Sequence, residues 1–314
     1  MRVGAVIFDF TSKNFYNMRY KNAAVQNMIS YKGAKKTNGD TFACGIKNTV
    51  EGEGVRNEQI LAEITEDFKR LKEVEAVVLG GSSAAKTADS KSDFDIYVYC
   101  SKIPSVQSRR ALAEKYSMNP EINNQYFETG DEFKITETGK PVDIMYRSIE
   151  DMEAHVQRVW VGGEAQMGYT TCFVDNINKS KILYDRDGRF KELQKKTCGE
   201  YPKALQDNII RKNFTFLKDA SSSYHKQISS AIERGDLVSV NHRSAAFLAS
   251  YFDVIFAKNC VMHPGEKRLV NFALNNCKIL PENFEEDVNA LAAGPVEMRA
   301  EIAARMVENL RKIL

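Results

Sequence analysis

Apolar residues first recur at helical spacing at Ile60, Ile64, Phe68 and Leu71, which predicts a helix with Asn57 as its N-cap. Residues 1–54 show no sustained period and end in Glu51-Gly52-Glu53-Gly54, a polar, glycine-punctuated stretch that reads as a linker. After the helix the period changes. Glu75 to Leu79 is a short β-branched run halted by Gly80-Gly81, and Phe94 to Cys100 is a second strand of aromatic and branched residues. Ser105 to Tyr116 reads as a helix, while Asp131 to Thr136 and Pro141 to Arg147 read as strands. Ser148 with Asp151 three residues later resembles a capping box opening a helix to Trp160. Lys181 to Leu183 predicts one more strand, closed by a turn over residues 184–188. Beyond Pro202 every segment reads as helix, with Leu205, Ile209, Ile210, Phe214 and Leu217 on one stripe and further helices near 222–233, 239–260, 266–276 and 296–313. The pattern therefore predicts an α+β protein in three parts: an N-terminal segment over 1–54, a small mixed-sheet domain over 55–200 and an all-helical bundle over 201–314.

Charge refines that division. The 314 residues carry 44 Lys+Arg against 42 Asp+Glu, a net +2, with 43% hydrophobic residues. Residues 1–50, however, hold eight basic residues against only Asp9 and Asp40, a local +6 that leaves −4 for the rest. A body of that sign argues against a nucleic-acid partner for residues 55–314, since phosphate binding leaves a basic footprint. The basic head, with Phe8, Phe10, Phe15, Tyr16, Tyr20 and Tyr31 between its lysines, reads either as a nucleic-acid arm or as an over-extended gene start with the native chain beginning near Val55. Six cysteines without a C-x-x-C and four scattered histidines give no zinc or disulfide framework. No apolar stretch is long enough to be a signal peptide or to span a bilayer, so a cytoplasmic protein with no membrane partner is expected.

Candidate chemistry gathers at Val77-Val78-Leu79-Gly80-Gly81-Ser82-Ser83-Ala84-Ala85-Lys86-Thr87, a strand entering a small-residue loop whose N–H groups can approach a phosphate. One reading is a degenerate P-loop using Gly80, Lys86 and Thr87. Ala85 stands where the second glycine belongs, and residues 88–92 leave no room for a crossover helix. The other reading joins the loop to Asp93-Phe94-Asp95. Residues i and i+2 of a strand share a face, so Asp93 and Asp95 form a carboxylate pair that a hard cation such as Mg²⁺ would neutralise. Asp143, a lone acid in the apolar run Pro141-Val142-Asp143-Ile144, is the expected third carboxylate.

Gly80-Gly81-Ser82, then Asp93-x-Asp95, then an acid on a later strand and a helical C-terminal domain resemble the nucleotidyltransferase superfamily of the DNA polymerase β type. Its small bacterial aminoglycoside and lincosamide nucleotidyltransferases, and related nucleotidyltransferase-like proteins, look most similar. The resemblance covers residues 57–314 and none of 1–54. It implies that Gly80, Gly81 and Ser82 bind the triphosphate, that Asp93 and Asp95 hold Mg²⁺, and that Asp143 is the third ligand or the base. It also implies ATP or another nucleoside triphosphate as co-substrate and a small molecule bearing a hydroxyl as acceptor. The antibiotic-modifying relatives often use a glutamate as base, and no glutamate here aligns with it. The same fold also serves two alternatives, a non-catalytic nucleotide-binding or partner-binding module and an enzyme that AMPylates protein side chains.

Two further segments draw attention. His263-Pro264-Gly265-Glu266-Lys267-Arg268 places two cations at a helix start, where Lys267 and Arg268 would meet phosphate, or else serves as an ordinary inter-helix turn. Gly162-Gly163-Glu164 and Gly168-Tyr169-Thr170-Thr171 read either as the lining of an acceptor pocket or as a turn and edge strand.

Overall fold

The computed structural model of the chain describes residues 43–81, 93–126 and 128–314, with side chains of the first helix from residue 54 onward. Most of the basic head, Ser82 and the stretch to Lys86-Thr87 lie outside the described residues. The chain divides into two compact units: residues 1–148 with 182–184, and residues 149–181 with 185–314.

The first unit opens with α1 (Ala43–Lys69). The helix runs straight through Glu51-Gly52-Glu53-Gly54, so the expected linker is helical and Asn57 is not an N-cap. The Asn57 carboxamide oxygen instead accepts from the Thr138 hydroxyl at 2.6 Å. The apolar stripe behaves as its spacing predicts: Ile60, Ile64 and Phe68 are buried, and Leu71 packs against them. They cover a six-stranded sheet built from β1 (Val74–Leu79), β2 (Phe94–Cys100), β3 (Glu121–Asn124), β4 (Gly130–Lys134), β5 (Pro141–Arg147) and β6 (Lys181–Asp185), in the order β3-β4-β5-β2-β1-β6. β2 and β5 run parallel, whereas β1 with β2, β4 with β5 and β3 with β4 are antiparallel. Alternation along β5 buries Val142, Ile144 and Tyr146 and leaves Asp143 and Met145 on the other face.

Helix α2 (Val106–Ala113) starts at Ser105, whose hydroxyl accepts from Ser108 N at 3.1 Å. It carries Arg109, 2% exposed, into the sheet. There the guanidinium donates to Asp131 at 2.7 Å, to Asn123 Oδ1 at 2.7 Å and to Pro104 O at 3.1 Å. Tyr146 donates to the second Asp131 oxygen at 2.7 Å. Every polar atom of a buried ion pair needs such company, because desolvation otherwise outweighs the attraction.

The second unit is helical: α3 (Ile149–Val156), α4 (Cys172–Lys179), α5 (Arg189–Thr197), α6 (Lys203–Phe214), α7 (Tyr224–Glu233), α8 (Leu237–Lys258), α9 (Leu269–Asn276), α10 (Phe284–Ala293) and α11 (Arg299–Ile313). Two π-helical turns, Gln157–Val161 and Thr215–Asp219, extend α3 and α6. The boundary between units falls at residue 148 and not near 200, because α3, α4 and α5 join the helical unit while only residues 182–184 return to the sheet. Where an edge strand is one expectation for residues 168–171, the chain turns into α4. Its apolar core centres on α8, where Phe247, Tyr251, Phe252, Ile255 and Phe256 are all buried. Beside it, Thr170 N and its hydroxyl donate to Asp253, the hydroxyl at 2.6 Å, and Asn213 Nδ2 reaches the same carboxylate at 3.3 Å. Burial pushes the Asp253 carboxyl up to about 7 against the pull of those hydrogen bonds.

Candidate functional site

Strand β2 supplies the first carboxylates. Phe94, Ile96 and Val98 are buried, so the alternate positions Asp93 and Asp95 share the opposite face, Asp93 exposed at the strand's mouth and Asp95 half-buried. In the parallel pairing of β2 with β5, Asp95 stands directly opposite Asp143. Neighbouring strands lie about 4.8 Å apart, so two acids separated by some fifty residues in the sequence become side-by-side neighbours.

The glycine loop closes onto this pair. Gly80 N donates to Asp95 O at 2.8 Å, which continues the β1–β2 ladder past the end of β1. Gly81 follows with φ +62°, and a Cβ built on it would collide with the Asp95 carboxylate, with Cγ only 2.8 Å away. Both features demand glycine: the left-handed backbone is costly for other residues, and the carboxylate occupies the space a side chain would need.

A fourth carboxylate, missed from the sequence, joins the face. In the antiparallel pairing of β4 with β5, Glu132 stands opposite Asp143, and Glu121 on β3 stands opposite Glu132. Glu121, Glu132, Asp143 and Asp95 thus form a row across four strands. Like charges placed opposite one another on a sheet are destabilising, so such a row is expensive unless a cation or a donor-rich ligand meets it. Alternation between buried Phe133 and its neighbours signals Glu132's face, but only the pairing order shows which acid it meets. Asp131, the next residue, points the other way into the Arg109 pair, which fixes β4 in place. A groove of about 670 Å³ opens beside Asp93, Glu132 and Asp143, walled by Ser117, Met118 and Asn119.

Lys267 and Arg268 are exposed and belong to the second unit, Arg268 with φ +56° just ahead of α9. His263, which begins that segment, is buried; its N donates to Thr171 Oγ1 at 2.8 Å, and its Nδ1 accepts from Gly265 N at 3.2 Å. Burial pushes its imidazole down to about 3, so it anchors the segment as a neutral ring. The donor set of Asp93, Asp95 and Asp143 is all-oxygen and acidic, which fits a hard divalent cation. As the side chains stand, no three His, Cys, Asp or Glu groups among the described residues converge closely enough to grip one.

Residues 61–160, which carry every described site residue of the first unit, match the model of the nucleotidyltransferase domain. The match is what the resemblance to the nucleotidyltransferase superfamily of the DNA polymerase β type leads one to expect of these residues. Residues 171–269 match a second model, described as a domain of unknown function (DUF4037). Among solved structures, a nucleotidyltransferase-like protein from Exiguobacterium sibiricum 255-15 aligns over 81% of this chain and 74% of its own, at 11% identity and a TM-score of 0.40. No curated protein matches the chain. Among the described residues no helix is long and apolar enough to cross a membrane.

Proposed function

We propose that the protein transfers a nucleoside monophosphate, AMP from ATP, to a hydroxyl of a small-molecule acceptor, with Mg²⁺ held by Asp93, Asp95 and Asp143. The observation that carries this is the packing of Gly81 on the Asp95 carboxylate with Asp143 in register beside it. It sets a glycine turn directly against a pair of acids. When bound, Mg²⁺ supplies charge neutralisation at the phosphates and Lewis acidity toward the acceptor hydroxyl. The chain's own contribution is positional. Gly80 and Gly81 would shape the turn beside the phosphates, with Ser82 next in the sequence, the three carboxylates would hold the metal, and the groove of about 670 Å³ would receive the acceptor. Glu132 is suited to take the acceptor's proton or a hydrogen bond from it, supplying the glutamate that the sequence alone does not align.

The test is incubation of the purified chain with each labelled triphosphate and Mg²⁺, with pyrophosphate release as readout. Asp95→Asn and Asp143→Asn keep shape and remove charge, so turnover should drop by at least about a hundredfold in each. Unchanged turnover in both sinks the assignment. Stabilisation by triphosphate without pyrophosphate release, across acceptors that include aminoglycosides, lincosamides and a cell lysate, would instead identify a non-catalytic nucleotide-binding module. Label appearing on lysate proteins would identify a protein-modifying enzyme.

A further inference from the structure

The loop Gly162-Gly163-Glu164-Ala165 and the end of α6 border an open, solvent-facing cavity of about 560 Å³ that lies wholly within the second unit. The second π-helical turn opens onto it, and the first ends at Gly162 on its border. Gly162 N donates to Gln157 O at 2.8 Å and closes the first, and Ala220 N donates to Thr215 O at 2.9 Å and closes the second. Thr215 and Phe216, which begin the second turn, line the cavity. A π turn inserts one extra residue into a helix at some cost in stability, and such turns concentrate where the re-aimed side chains have a use.

The cavity's wall is held in shape from α6. Asn208 Nδ2 donates to Gly163 O at 2.7 Å, and Lys212 Nζ donates to Ala165 O at 2.7 Å. Gly163 has φ +71°, and a Cβ there would stand 3.3 Å from Asn208 Nδ2, so the loop rests on the helix at glycine distance. Preformed walls with a few convergent polar groups are the mark of a small-molecule site.

The lining is cationic and apolar by turns. Arg211 and Lys212 bring two positive charges, and Arg158 stands 3.9 Å from the one acid, Glu164. Arg211 rests one nitrogen on Asn208 Oδ1 at 2.6 Å, which orients a fork with five N–H donors. Phe216 exposes 38% of its surface at the rim. We propose that this cavity binds a small organic anion with a planar apolar body, its carboxylate or phosphate oxygens on Arg211 and Lys212 and its flat face on Phe216. The site is independent of nucleotidyl transfer and does not rest on it.

Calorimetric titration of the full chain with 2-naphthoate, its neutral analogue 2-naphthamide and inorganic phosphate tests the proposal. Saturable binding of 2-naphthoate is expected, at least about tenfold tighter than the amide or phosphate alone. Arg211→Gln and Phe216→Leu, the second keeping an apolar side chain where the ring is part-buried, should each weaken it about tenfold while leaving stabilisation by ATP unchanged. No saturable binding of 2-naphthoate, equal binding of the amide, equal binding of phosphate, or indifference to both substitutions would each overturn it. Asp95→Asn should leave naphthoate binding intact, so the outcome stands apart from that of the nucleotidyl-transfer assay.

Discussion

Gly81 is the residue whose replacement is most informative. Alanine there meets a φ of +62° and the Asp95 carboxylate at once. The strain of a non-glycine residue in this region is about 1–3 kcal/mol, and relief would turn Asp95 away from Asp143. Gly81→Ala is therefore expected to lower triphosphate turnover by about ten- to a hundredfold while circular dichroism keeps the parent's shape and the melting temperature falls by only a few degrees. Asp253 gives a pH-dependent signature in the other unit. Its carboxyl titrates at about 7 when folded, above an ordinary value of 3.8, because burial disfavours the charge. The folded state thus holds a proton that the unfolded state has lost, and stability falls as pH rises from about 4 to about 7. Asp175, pushed up to about 6 by burial, acts in the same sense, whereas His263, pushed down to about 3, acts in the opposite one. Asp253→Asn isolates the effect: its stability relative to the parent should improve steadily across pH 4–7 and level off above, as read by urea denaturation at each pH. A constant difference would show that Asp253 is ionised throughout.

At the scale of elements, β4 joins stability to the candidate site. Asp131 faces the buried Arg109 while Glu132, one residue on, faces Asp143. Asp131→Asn leaves Arg109 without its counter-charge, and breaking a buried pair from one side costs about 3–5 kcal/mol. The urea midpoint of the first unit should fall accordingly, and Arg109→Met combined with Asp131→Leu should recover part of the loss. This strand also shows where sequence reading stops. Asp95 and Asp143 were legible because each interrupts an alternation that a single strand displays by itself, as was the α1 stripe at Ile60, Ile64 and Phe68. Glu132 was not, because its meaning depends on β4 lying next to β5, a pairing that no local period encodes. The glycines of Glu51-Gly52-Glu53-Gly54 misled in the opposite sense. They lower helix propensity by about 1 kcal/mol each, yet α1 continues through them. Helix α4 was missed because its two turns follow Gly168-Tyr169-Thr170-Thr171, whose polar residues look like loop until Thr170 meets Asp253 and Thr171 meets His263.

At the scale of the whole chain, the division at residue 148 was hidden for a different reason. Helices α3, α4 and α5 flank a strand, so their stretch of sequence looks like a continuation of the α+β pattern although they pack with the helical unit. A fragment covering residues 43–148 lacks β6 and leaves the edge of β1 bare. It is expected to be less stable than the same region in the intact chain and to self-associate, as size-exclusion chromatography and urea titration would show. The full chain cut at an engineered site after Ser148 keeps β6 and should retain its sheet. That returning strand also imposes an order on synthesis. Five strands can leave the ribosome and pair by Arg147, but the sixth follows only after α3 and α4 of the other unit have been made. The nascent sheet must wait with one edge open while its neighbour begins to fold, so a pause or a chaperone acting between residues 148 and 185 would decide whether the nucleotidyltransferase domain closes its own sheet or pairs with another chain.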